Sequence, residues 1–130
     1  MNFKARCVAL ENDGETQTVG FADSEFGPET YVILQRAIEP DEQDIRLGLD
    51  QLYMTINDQS RSTYGGILEI SISPGLVVIR LSAEAVKELR ADGDIIVDIE
   101  VAEPSMREIK ENLEVLANGR CPVIAVDGLE

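Results

Sequence analysis

Histidine and tryptophan are absent from these 130 residues, and there are only three Phe and three Tyr. Without an imidazole, nucleophilic catalysis by a Ser-His or Cys-His pair is excluded. The 25 Asp and Glu guarantee that some carboxylates lie close together, so such pairs carry little specificity. Glycoside hydrolysis would also want aromatic platforms, which are scarce here. Basic residues are few as well, 11 Lys and Arg, for a net charge of -14. That balance opposes binding to nucleic acid or to an anionic membrane, because Lys and Arg meeting phosphate supply the main attraction to both. The only cysteines, Cys7 and Cys121, form no CxxC pair and have no His to complete a zinc set. Neither GxGxxG nor GxxxxGK occurs, so Gly14 and the pair Gly65-Gly66 read as turn residues. The opening MNFKARCVAL lacks a signal-peptide pattern, and no stretch approaches the roughly 20 apolar residues of a membrane span. The expected location is cytoplasmic, with both thiols reduced.

The remaining composition is that of a folding chain. Hydrophobic residues make up 44% of it, enough to offset ordering entropy despite the charge. The length suits one domain, expected over residues 1–130. Acidity is concentrated: from Arg6 to Arg36 there are six carboxylates, Glu11, Asp13, Glu15, Asp23, Glu25 and Glu29, and no basic residue between the two. Such a field attracts a basic partner, although a solvated coat would have the same composition.

Period-two alternation predicts a hairpin with Leu68, Ile70 and Ile72 on one face of its first arm and Val77, Ile79 and Leu81 on the second. The bend falls at Pro74-Gly75. A further strand is predicted over residues 94–101, and earlier ones at 3–10, 17–21, 31–37 and 52–57, with a loop at 23–29. Ser82 can cap a short helix carrying Val86 and Leu89 and stopped by Asp92-Gly93. Ser105 and Glu108 are spaced as a capping box for a second helix, whose Met106, Ile109, Leu113 and Leu116 share a face. These elements predict an α+β fold, a predominantly antiparallel β-sheet with two helices packed on one face.

Two polar segments stand out. Glu39 to Asp44 is dense in carboxylates but lacks the D-x-[DN]-x-[DN]-G order of a calcium loop; no metal or cofactor is expected. Residues 57–64, read as a loop, hold donors, acceptors, a cation and an aromatic, the mixture found at recognition surfaces. The plainer reading is a strand connection.

The run Tyr31 to Ala37, followed by Asp41 to Asp44, Gly48, the strand Tyr53 to Ile56, Asp58-Gln59 and Tyr64 to Ile67, resembles the immunity protein 10 family of bacterial polymorphic toxin systems. The resemblance spans about residues 29 to 118 and leaves out the N-terminal acidic stretch. It implies a non-enzymatic protein that binds and neutralises a cognate toxin, for which an acidic surface would speed the encounter with a basic, nuclease-like domain. The candidate contacts are Glu39, Asp41, Glu42, Asp44 and Asp50 of the acidic turn, with Asp58, Gln59, Arg61 and Tyr64 of the polar loop. The competing assignment for Asp41 to Asp44 is structural, capping a turn or pairing with Arg36 and Arg46. The runner-up function is a sheet-mediated oligomeric adaptor or assembly module, acting through an exposed strand edge.

Overall fold

The expected α+β class holds, but the strands divide between two sheets. In the computed structural model, which describes residues 1–126, one sheet is formed by five strands consecutive in sequence. They are β2 (Cys7–Asn12), β3 (Thr16–Ala22), β4 (Tyr31–Ala37), β5 (Tyr53–Ile56) and β6 (Asp58–Tyr64), all antiparallel. We call it the meander sheet. The closing sheet has the order β1-β9-β8-β7-β10, from β1 (Asn2–Ala5), β7 (Ile67–Ser73), β8 (Leu76–Leu81), β9 (Ile95–Ile99) and β10 (Val123–Ala125). Its outer strands β1 and β10 pair in parallel, which is how the two ends of the described chain reach one sheet. Helices α1 (Glu42–Arg46), α2 (Ala83–Leu89) and α3 (Met106–Ala117) complete the fold.

The chain changes sheets at two places. The strand expected over 3–10 is cut at Arg6, where pairing passes from β9 to β3; alternation continues across the cut, so the sequence carries no sign of it. The second crossing is Gly65-Gly66, both at positive φ (74° and 77°), where a Cβ costs energy. At Gly66 a Cβ would lie 2.6 Å from the Cβ of Ala85, so α2 packs directly on this backbone.

The predicted hairpin is present, with Ser73 opposite Leu76. Leu68 is a correction: a bulge between Ile67 and Glu69 turns it outward, half exposed, while Ile67, Ile70 and Ile72 are buried. An extra residue in one strand resets the alternation. The polar segment at 57–64 is also corrected, since it is mainly strand β6. The strand predicted to Val101 ends at Ile99, and α2 ends at Arg90 in the left-handed conformation, two residues before the predicted stop. The capping box of Ser105 and Glu108 is formed as expected. Helix α1 and strand β10 were not foreseen; both are very short.

Buried residues from both sheets, with Ala85 and Leu89 of α2 and Ile109, Leu113 and Leu116 of α3, form one apolar cluster. Helix α3 touches β3 and β4 of the meander and β7 and β10 of the closing sheet, and α2 touches β6 and β8. Strands β3 and β4 alternate strictly between buried and half-buried positions. Their buried side meets α3, as the bond from Gln17 Nε2 to Asn112 Oδ1 (2.9 Å) shows. The other side of the meander sheet is its outer face. Among the described residues no helix is long and apolar enough to cross a membrane.

Candidate protein interface

Register fixes what the outer face presents. Glu11, Thr18, Gln35, Tyr53 and Tyr64 form one row across all five strands, and Ala9, Gly20, Ile33, Thr55 and Ser62 form the next. Gln35, Tyr53 and Tyr64 of the first row line a polar hollow of about 280 Å³ towards β5 and β6, together with Thr16, Arg36, Ala37, Asp44, Leu49 and Gln51. Tyr64 lies against Tyr53, ring centroids 4.6 Å apart, and remains 48% exposed. A half-exposed tyrosine held by a neighbouring ring presents a rigid, amphipathic contact. The residues missed at this site, Tyr53, Gln35 and Gln51, come from strands and a loop distant in sequence, and only the register brings them together.

Arg36 closes the hollow from below. The residue is 4% exposed, and its guanidinium donates to the carbonyls of Leu116 (2.6 Å), Ala37 (2.6 Å) and Val115 (3.1 Å). Burial, and to a lesser degree the charge of Arg120, hold its pKa below the ordinary value. It therefore satisfies the orphan carbonyls at the end of α3 instead of pairing with the acidic turn, as the structural alternative had it.

The acidic turn divides. Asp41 caps α1: its carboxylate accepts the Asp44 N–H at 2.8 Å, and Asp44 returns a bond to the Asp41 N–H at 3.4 Å. The capping half of the structural assignment is thus realised, while Arg46 makes no ion pair among the described residues. Glu42 projects from the first turn of α1, exposed. Glu39 lies beside Glu15 in a neighbouring depression that shares Thr16 and Ala37 with the polar hollow. Asp50 faces Arg120, which bonds its carbonyl at 2.6 Å and approaches its carboxylate at 3.8 Å.

The second predicted group is split as well, because Asp58, Gln59 and Arg61 lie at the opposite end of β6 from Tyr64. Arg61 donates to the carbonyls of Leu89 (2.9 Å) and Arg90 (3.2 Å) at the end of α2. Asp58 accepts the Ser60 hydroxyl and the Ser60 N–H (2.7 Å). The Ser60 side-chain bond, then its backbone bond, lower the Asp58 pKa. Gln59 is exposed, with its carbonyl accepting from Ser62 Oγ at 2.8 Å. Both arrangements hold a tight turn and a helix end in place.

A second concavity lies on the same outer face towards β2 and β3. It is an apolar cleft of about 310 Å³ with Ala9, Gly20 and Ala22 on its floor and Tyr31, Ile33, Pro28 and Cys7 around it. The sequence carried one sign of it, the glycine inside the β3 pattern. Among the described residues no buried side-chain nitrogen or oxygen lacks a hydrogen-bond partner, and no group of three or more Cys, Asp or Glu is placed to hold a metal ion.

The family model described as Immunity protein 10 matches residues 4–107. The match takes in the N-terminal acidic stretch, strands β2 and β3 included, which the resemblance seen in the sequence had left out; it ends in the first turn of α3. No curated protein matches the chain.

Proposed function

This chain belongs to the immunity protein 10 family, and we propose from that premise that it binds and neutralises a cognate toxin domain, without turnover, through the outer face of the meander sheet. The observation that carries the reading is that face itself. It is a five-stranded surface whose inner side, not its outer, packs on α3, and it offers an apolar cleft, a polar hollow with Asp44 in its lining and a depression that holds Glu15 and Glu39. Loops and faces held on a rigid scaffold suit recognition. Glu39, Glu42, Asp44 and Tyr64 are the contacts this reading keeps from the sequence. Asp41, Asp50, Asp58, Gln59 and Arg61 hold the surface in shape. The net charge of -14 suits a basic partner, of which nuclease domains are one class, and would raise the association rate.

The test is co-purification of the tagged chain from its source cells at low and high salt, followed by expression of the recovered domain alone and with this chain. Recovery of one domain that is lethal alone and harmless in combination supports neutralisation. A salt-sensitive association rate supports electrostatic steering. A second reading, assembly through a sheet edge, is favoured by β2, whose only strand partner among the described residues is β3. Light scattering after size exclusion separates the two, since self-assembly raises the mass of the isolated chain.

A further inference from the structure

We propose that the apolar cleft over Gly20 receives a large apolar side chain of the toxin domain, bracketed on the toxin by basic residues. This rests on the immunity reading and names the anchor point of the partner.

The outer face of a half-buried antiparallel sheet is ordinarily polar. Here the half facing β2 and β3 is lined by alanine, glycine, isoleucine and proline. Gly20 is the telling residue. It sits in the middle of β3 and is not among the glycines at positive φ, so its backbone does not require glycine. A Cβ there would meet Ala9 at 3.8 Å and Ile33 at 3.9 Å, ordinary contacts. The missing side chain weakens the strand and gives the cleft its depth. The volume, about 310 Å³, is at the bottom of the range of roughly 300–1,000 Å³ for ligand sites, and suits one anchor.

Charge selects the occupant. Pro28, in the cleft wall, belongs to the loop between β3 and β4, which also carries Glu25 and Glu29, both exposed. Glu11 lies on the same face of β2 as Ala9, one row away. None of these three carboxylates makes an ion pair among the described residues. The same loop presents Phe26, 83% exposed, a second apolar contact for whatever covers the cleft. An apolar site with three carboxylates near it that make no ion pair among the described residues fits an apolar anchor flanked by Lys or Arg, with the desolvated centre setting residence time.

The test uses the toxin domain recovered by co-purification. Gly20→Val fills the cleft with a strand-favouring side chain. The expected result is an unchanged or higher melting temperature, with affinity lower by about 30- to 1,000-fold, mostly through faster dissociation, as for loss of a central anchor. A folded Gly20→Val that binds like the parent overturns the proposal. Should the variant fail to fold, the unmodified chain supplies an independent readout, because Cys7 lies in the cleft and Cys121 is buried. N-ethylmaleimide should modify Cys7 in the free chain and be slowed at least tenfold in the complex. Equal rates overturn the proposal, as does concentration-dependent protection of Cys7 without toxin, which would assign the cleft to a second copy. Absence of any toxin binding by the unmodified chain would instead sink the immunity reading, and this inference with it.

Discussion

The two concavities of the meander sheet share one face and one register, yet they differ in what their residues do for the fold. The polar hollow is lined by groups with structural duties: Arg36 ties β4 to the end of α3, Asp44 completes the cap of α1, and Tyr53 supports Tyr64. The apolar cleft has small side chains on its floor, and at Gly20 none. Recognition and stability are therefore entangled in the hollow and separable in the cleft. A loss of partner binding is easier to assign to a lost contact when the substitution lies on the β2 and β3 side.

The strongest way to sharpen this contrast is Arg36→Ala. It leaves three carbonyls of which two lie at the end of α3, and opens a cavity beneath the hollow. The expected loss is about 2–4 kcal/mol, read as a lower midpoint in urea at unchanged slope. A loss below 1 kcal/mol would mean that the hollow bears little structural load. Next in size is the cap of α1. Asp41→Ala should lower stability by about 0.5–2 kcal/mol, whereas Glu42→Ala, one residue on, should stay within about 0.5 kcal/mol and reveal contact with a partner free of unfolding. Replacing Asp41, Glu42 and Asp44 together would merge these effects, so the single substitutions are the informative ones.

On the cleft side, Gly20→Ala should raise stability by about 0.5 kcal/mol, because alanine loses less backbone entropy in a strand and meets only ordinary contacts. A fall in melting temperature would contradict the picture of an unloaded floor. The smallest expected effect concerns pH. Asp58 has its native pKa lowered from 3.8, first by the Ser60 side chain and then by the Ser60 backbone. Its contribution is therefore present above the unfolded pKa and is lost as pH falls through the lower native value. Asp58→Asn should flatten the decline of melting temperature with acid slightly below pH 4, and an unchanged profile would remove this turn from the acid response.

Much of the fold was legible from periodicity. The β7 and β8 hairpin, β3, β4, and both longer helices with their serine caps follow local patterns that tertiary packing reinforces. What escaped was pairing. Arg6 marks a change of sheet within an unbroken alternation, and the bulge at Leu68 shifts a register that sequence alone cannot fix. β6 was hidden by its polarity. Its Asp58, Gln59 and Ser60 shape the turn end, and Thr63 is buried through its hydroxyl bond to Glu88 Oε2 (2.5 Å). The candidate site was half legible for the same reason. Carboxylates and Tyr64 could be selected by chemistry, but whether a carboxylate is free or already committed depends on neighbours distant in sequence, as Asp50 and Arg120 illustrate.

The division of the strands also sets an order in time. During synthesis from the N-terminus, every strand of the meander is complete once Tyr64 has been added, and each pairs with its neighbour in sequence, the arrangement that closes fastest. Its apolar inner side then waits for α3. A chain that stops between Tyr64 and Met106 has every strand of the recognition face but lacks the helix that packs on the reverse of β3 and β4.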